Sequence, residues 1–452
     1  MQYPDPRSTS AALYKRAQSV MPGGNSRTTV YQSPYPIYAE SGTGCWVRDV
    51  DGTERIDFVN NYTSLLHGHA DPRVNAAVTS QLARGTCFSF PTELEIQLAE
   101  LLSSRLASVE ALRFTNSGSE AVMMAVKAAR AYTNRAKIAK CEGAYHGSYD
   151  YVEVSLETPR NLWNRDAPQS IAYSKGTPQG VLDDVIVIPF NDAASAERIL
   201  LAHAHELAAV LFDPVPNRAG LVQAEPAFVR TLRDITARHG IVLIADEVIT
   251  FRLGFRGAQH EFGFAADLTT LGKIIGGGFP IGAVGGRRDI MSVFDPTVAK
   301  TAAPHGGTFN ANPISMVAGL TALEMMTPER FDEFNALGER TRIALREAIA
   351  RSGFPAQVTG AGSLFRIHMT DREISDYRSS NPAGEEKAGL AFLNRFLLNH
   401  GFALTPTGLG ALSTPMTERD VDSLATAVEG AMRAWSSSQS SGEARLANPV
   451  HR

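Results

Sequence analysis

The sequence predicts an α/β protein with a mostly parallel central sheet, helices on both faces, and a smaller α+β lobe built from its two ends. Three observations predict it. Short apolar runs alternate with helix-length amphipathic stretches from about residue 112 to 271, the pattern of repeated strand–helix–strand units. Several of these runs are apolar at successive residues, as in 241–245, which marks strands buried on both faces. A hairpin-bearing start and a helix-rich end flank the alternating region and supply the smaller lobe.

Taken in order, residues 10–20 can place Ala11, Ala12, Leu13, Ala17 and Val20 on one helix face, and Pro22, Gly23 and Gly24 end it. Short strands are predicted at 28–31, 37–39 and 45–48. Asp51-Gly52 joins 47–50 to 55–58 as a hairpin. Residues 72–85 and 93–106 show helical spacing, with Leu94, Leu98, Leu101 and Leu102 forming a core stripe. Strands follow at 112–115, 137–141, 185–188, 209–212, 241–245 and 268–271, with helices between them, among them 193–207 and 227–239. The stretch 155–180 carries Pro159, Trp163, Pro168 and Pro178 without a period, and reads as an irregular loop. After Thr327 long helices at 328–351 and 385–398 flank short strands. The expected organisation is an N-terminal part of a small domain (1–70), a large domain (71–327), the C-terminal part of the small domain (328–435), and a polar disordered tail (436–452).

The 452 residues are enough for two or three domains and a large core. A net charge of −4 gives no electrostatic case for nucleic acid or an anionic membrane. Cys45, Cys87 and Cys141 lie far apart and match no zinc spacing, so no metal site is expected and reduced thiols are. The first twenty residues lack the apolar core of a secretory signal, and no run of about 18 apolar residues exists to span a membrane. The expected location is the cytoplasm. The lack of a G-x-S-x-G elbow argues against an α/β hydrolase.

The chemistry is concentrated in 241–282. The strand 241–245 is closed by two acids, Asp246 and Glu247, and Lys273 follows the next strand 27 residues after Asp246. Open α/β sheets bind ligands at the carboxyl ends of their strands. An acid after one strand and an amine after the next suit a cofactor that needs both, and pyridoxal phosphate is one. Alone, such an Asp more often caps a turn and such a Lys is more often solvated. Asn116-Ser117-Gly118-Ser119-Glu120 lies between a strand and a helix, where hydroxyls and amides bind an anion or merely cap the helix. Glu142-Gly143-Ala144-Tyr145-His146-Gly147 puts an aromatic and a histidine at a strand end, able to stack on a planar ring or to sit in a core. The loop from His305 to Pro313, HGGTFNANP, is a small-polar helix entry fit for phosphate.

In order along the chain stand SGSE, EGAYHG, Asp213-Pro214, DEV, Lys273 before Gly276–Gly278, and GGTFNANP. Six motifs in this register resemble the class III aminotransferases of pyridoxal phosphate fold type I. The nearest subgroup is that of glutamate-1-semialdehyde aminomutase, whose relatives include transaminases of β-amino acids and of D-configured aryl amino acids. The resemblance spans about residues 17–420. It implies pyridoxal 5'-phosphate as cofactor, Lys273 as the lysine that bonds it, and Asp246 as the acid facing the pyridinium nitrogen. It implies that Val248 and Tyr145 pack the two ring faces, with His146 beside them and Asn217 near the ring hydroxyl. Ser117, Gly118 and Ser119 match the phosphate loop. Thr308 matches a phosphate ligand supplied by the other subunit of a homodimer with shared active sites. Arg27 in PGGNSR matches a carboxylate-binding arginine of β-amino-acid transaminases, and Tyr62 a residue lining the side-chain pocket.

There are departures from the family pattern. Asp213 replaces the usual Glu, Tyr62 stands where the aminomutase has tryptophan, Thr407 replaces an arginine of some relatives, and the 155–180 loop is unlike the aminomutase's gating loop. The implied reaction moves an amino group from an amino acid, β- or aryl-substituted donors included, to a 2-oxo acid in two half-reactions. The alternative is an intramolecular 2,1-aminomutase.

Overall fold

The computed structural model describes residues 2–163 and 167–440. Its strands, in chain order, are β1 Ala39–Thr43, β2 Trp46–Asp49, β3 Glu54–Asp57, β4 Ala111–Thr115, β5 Lys137–Cys141, β6 Val185–Ile188 and β7 Leu207–Phe212. They continue with β8 Val242–Asp246, β9 Leu268–Gly272, β10 Gly282–Gly286, β11 Gln357–Thr359, β12 Leu364–His368, β13 Phe402–Ala403 and β14 Leu409–Ala411. A seven-stranded sheet runs β4-β10-β9-β8-β7-β5-β6. It is parallel except for β10, which is antiparallel to both β4 and β9.

This sheet is buried on both faces, and the alternation of side chains shows how. Ala209 and Leu211 of β7 and Val242 and Ile244 of β8 join one core with Val122, Met124 and Val126 of the helix Gly118–Thr133. The intervening Val210, Phe212, Leu243 and Ala245 join a second core with Ile199 and Leu200 of Ala193–His203 and with Phe228, Leu232 and Ile235 of Pro226–His239. Period-2 alternation with both sets apolar is the reason these runs read as continuous hydrophobic stretches. The third and largest cluster joins Leu98 and Leu102 to Phe58, Phe365, Phe402 and Trp435. The leucine stripe of Glu93–Arg105 is therefore core, as expected.

The chain ends build the smaller lobe together. β13 pairs in parallel with β3 in the sheet β1-β2-β3-β13, and β11-β12-β14 form a third sheet. The expected hairpin exists: Asp49 Oδ1 accepts the amides of Asp51 and Thr53, and Gly52 takes φ +82°.

Three expectations need correcting. Residues 28–31 form no strand: Thr28–Val30 is a 3-10 turn, with Val30 and Tyr31 amides bonding back to Arg27 and Thr28. Its β-branched composition favours a strand, but no strand among the described residues pairs with it. β10, Gly-Ala-Val-Gly-Gly, was not expected, since glycine is depleted in strands. Here it is required by packing: a Cβ on Gly282 would lie 2.1 Å from the Ser117 carbonyl oxygen. The tail starts later than expected. Glu418–Ser440 is one helix, held near its end by Trp435, which is buried against Phe392. The remainder of the expected tail, 441–452, and residues 164–166 of the irregular loop lie outside the described residues. No helix among the described residues is long and apolar enough to cross a membrane.

Candidate active site

Asp246 ends β8, and Lys273 follows β9 directly. The two strands are parallel neighbours, with Asp246 in register with Thr270, so 27 residues of sequence collapse to one strand spacing. Asp246 is buried, and three donors fix its carboxylate. Oδ1 accepts the Val248 amide (3.1 Å) and the Thr270 hydroxyl (3.1 Å), while Oδ2 faces His146 Nδ1 at 2.7 Å. Burial pushes the His146 pKa down, against the hydrogen bond and charge of Asp246. A neutral His146 must therefore carry its proton on Nδ1 to meet the carboxylate. Its Nε2 has no hydrogen-bond partner among the described residues. The structure thus puts His146 behind Asp246, where it orients the acid.

Lys273 takes φ +51°, in the left-handed region, a conformation that costs a non-glycine residue about 1–2 kcal/mol. Burial lowers its pKa. The charges of Asp246 and Asp213 oppose that shift, and those of Arg27 and Arg252 add to it. The amine form, which is the nucleophile and the base, is favoured accordingly. Asp213 follows β7, accepts the Val215 amide at 2.8 Å, and has its carboxyl pushed well above the ordinary range by burial and then by Asp246. Glu247 is fully buried and accepts the amides of Ala258 (2.7 Å) and Gln259 (3.1 Å).

Ser117 caps the helix Gly118–Thr133, its Oγ accepting the Glu120 amide at 3.2 Å. Ser119 Oγ accepts the Ser148 amide at 3.1 Å. Both hydroxyls accept from backbone here, which leaves their hydrogens to donate to an anion. A Cβ on Gly118 would lie 2.9 Å from Val248 Cγ1, and one on Gly147 would lie 2.4 Å from Ser119 Oγ. The glycines therefore let Ser117–Ser119, Tyr145–Gly147 and Val248 close around one space. Tyr145 is half exposed. Asn217 keeps a buried Oδ1 without a partner among the described residues. Thr308 is exposed and makes no hydrogen bond to Ser117–Ser119 of its own chain; the loop is tied there by Asn310, whose Oδ1 accepts from Asn116 Nδ2 at 2.7 Å.

Arg27 donates from Nη1 to Asn61 Oδ1 at 2.8 Å, and its guanidinium carbon is 5.4 Å from the Tyr62 ring centroid. Nε and Nη2, the edge that grips a carboxylate side-on, carry no hydrogen bond among the described residues. The Tyr62 hydroxyl donates to the Thr29 carbonyl. Asn60, Asn61, Tyr62 and Thr63 all have positive φ, from +46° to +72°. Sequence reasoning missed this turn and Asn61. The adjacent asparagines at 60 and 61 were the available sign, because asparagine tolerates the left-handed region.

The donor set fits pyridoxal phosphate. A buried carboxylate oriented by three donors suits a protonated ring nitrogen, and a desolvated amine suits an aldehyde. The serine hydroxyls and the amides at the start of Gly118–Thr133 suit a phosphate, and the unpaired Asn217 Oδ1 suits a ring hydroxyl. Comparison with known proteins agrees. Residues 28–412 match the family model of the class-III aminotransferases. The fold superposes on an omega-transaminase from Sphaerobacter thermophilus with a TM-score of 0.94 and 53% identity, covering 96% of this chain and 99% of that one. A β-phenylalanine aminotransferase from Variovorax paradoxus gives 0.85 and 33%, covering 95% and 94%. A glutamate-1-semialdehyde 2,1-aminomutase from Methanothermobacter thermautotrophicus is 38% identical over 401 residues, 88% of this chain and 92% of that protein.

One consequence of the buried acids can be measured without substrate. Burial pushes the Glu247 pKa from 4.5 up to about 7. Between these values the folded protein holds a proton that the unfolded chain releases, so this group's contribution to stability falls as pH rises through that window. Glutamine at 247 is neutral at every pH. The melting temperature of Glu247→Gln, relative to the parent, is expected to climb from about pH 5 to about pH 7.5; a constant difference would contradict the assignment.

Proposed function

The chain belongs to the class-III aminotransferases, and from that premise we propose that it is a transaminase taking its amino group from an amino acid and passing it to a 2-oxo acid. The observation that carries this is Arg27. Its guanidinium is held by Asn61 and Tyr62 within electrostatic reach of Lys273, and its open Nε–Nη2 edge matches a carboxylate. A cation so placed selects donors with a carboxyl group over simple amines. The likeness to an omega-transaminase and to a β-phenylalanine aminotransferase supports donors of the β-amino or aryl-substituted kind.

The family's cofactor is pyridoxal 5'-phosphate, which when bound supplies an aldehyde to receive the amino group and a ring to withdraw electrons. Ser117, Ser119 and the Gly118 amide would hold its phosphate, and Val248 and Tyr145 would pack against its ring. Asp246 presents a fixed negative charge to the ring nitrogen, and His146 keeps that carboxylate from turning. Lys273 Nζ accepts the proton from the substrate carbon that carries the nitrogen and returns it elsewhere on the reacting system. Arg27 orients the donor through its carboxylate, and Tyr62 lines the pocket beside it.

A second reading, the intramolecular 2,1-aminomutase, is supported by the 38% identical aminomutase. Tyr62 in place of tryptophan and the unlike 155–180 loop favour the transaminase. We also propose a homodimer with shared sites, in which Thr308 reaches the phosphate bound by Ser117–Ser119 of the partner. Exposed Phe88, Phe90 and Phe309 support it, as does a cavity of about 230 Å³ that Phe88 shares with Pro313. The division at residues 70 and 327 belongs to the same proposal, with strands from both chain ends sharing one sheet.

A spectrophotometric screen of α-amino acids, β-amino acids and amines separates the two reactions. The transaminase converts the cofactor to its amine form with an amino-acid donor and needs a 2-oxo acid to turn over. Steady conversion without acceptor, to a product isomeric with the substrate, would establish the mutase instead. Arg27→Ala is expected to raise KM for amino-acid donors roughly tenfold or more, the scale of a charged hydrogen-bond pair worth about 1.5–3 kcal/mol, with little change for a carboxyl-free amine. Unchanged KM for every amino acid would remove Arg27 from the site. Sedimentation at assay concentration should find a dimer, and a fully active monomer would refute the shared site.

A further inference from the structure

The turn that holds Arg27 is itself held in an unfavourable shape. Asn60, Asn61, Tyr62 and Thr63 have φ of +47°, +46°, +56° and +72°. Four successive non-glycine residues in the left-handed region, one of them β-branched, do not stay there unaided. Asp57 Oδ1 receives the amides of Val59 (2.8 Å) and Asn60 (3.0 Å), and Asn60 Nδ2 donates to the Ala411 carbonyl at 2.7 Å. These bonds fasten the entry. The exit is fastened by Arg252, whose Nη1 donates to the Thr63 carbonyl at 2.9 Å.

Arg252 is an unusual fastener. It is fully buried, and among the described residues its donors meet only neutral acceptors: the Thr63 carbonyl, the Leu412 carbonyl from Nη2 (2.5 Å), and Ser363 Oγ from Nε (3.0 Å). Burying a cation without a carboxylate is costly, and an apolar side chain would fill the same volume without that cost. What the guanidinium supplies is a rigid fork that reaches three separate segments at once. It sits six residues after Asp246, so the same segment carries the acid that ends β8 and the clamp on the turn.

We propose that Arg252 is a positioning residue for the donor carboxylate: it pins the left-handed turn at Thr63, and the turn presents Asn61 and Tyr62 so that Arg27 keeps its Nε–Nη2 edge open toward the site. The inference rests on the reading of Arg27 as the carboxylate's partner. The positive charge of Arg252 also helps lower the pKa of Lys273, so the clamp acts on both ends of the donor.

The test uses the holoenzyme with two donors that differ only by the carboxyl group, 3-amino-3-phenylpropanoate and 1-phenylethylamine. Binding of 3-phenylpropanoate, which has no amino group, is measured by calorimetry. Arg252→Lys keeps the charge but cannot span three acceptors. It is expected to lower the ratio of kcat/KM for the amino acid over the amine by fivefold or more, and to weaken 3-phenylpropanoate by a similar factor. Asn61→Gly permits the same backbone and removes the side-chain bond to Arg27 together with one exposed bond to Ser64 Oγ, so it should move both readouts the same way in a protein of near-parental stability. If Arg252→Lys does not fold, Asn61→Gly decides. A folded Arg252→Lys, or Asn61→Gly, with unchanged ratio and unchanged 3-phenylpropanoate affinity overturns the proposal. Arg27→Ala is run alongside. If it binds 3-phenylpropanoate as the parent does, the carboxylate reading itself fails. If it loses the ligand and the other two variants do not, only the positioning role fails.

Discussion

The parallel pairing of β8 with β9 sets the carboxylate of Asp246 and the amine of Lys273 at one edge of a sheet buried on both faces. Everything else in the site depends on that adjacency. Two apolar cores fix the strands, so neither side chain can drift along its strand without moving packed residues on both sides. The carboxyl ends of the strands are also where the backbone leaves the sheet. That departure is why a left-handed Lys273 and the glycines after it are tolerated there.

Burial then differentiates groups that would be alike in water. Asp246 has three donors, one of them the His146 ring. Asp213 accepts a single backbone amide, and burial drives it toward its neutral form. Among the cations, burial moves Lys273 toward its neutral amine, and the positive charges of Arg27 and Arg252 add to that shift. Neighbouring groups of one chemical type are thereby fitted to different tasks.

Much of this was readable in the sequence, for physical reasons that also mark its limits. Runs such as 207–212 and 242–246 announce themselves because both faces must be apolar. Asp246 and Lys273 alone read as a turn cap and a solvated amine, and they stood out through the order of six motifs along the chain. β10 was hidden because its glycines answer to contacts outside the strand, Gly282 with Ser117, Gly285 with Val109 and Gly286 with Asp267, and not to strand propensity. The turn at Thr28–Val30 misled for the opposite reason: propensity without a neighbouring strand. Arg27 and Tyr62 were found by resemblance. The left-handed turn that joins them and the buried Arg252 that holds it depend on contacts across the chain, and no local pattern encodes such contacts.

The most direct test of the central claim is chemical. Borohydride reduction of the protein loaded with pyridoxal 5'-phosphate, followed by peptide mapping, should place the pyridoxyl group on Lys273 alone in the parent and leave Lys273→Ala unlabelled. A label on any other lysine in the parent would contradict the account, because Lys273 directly follows the strand paired with that of Asp246.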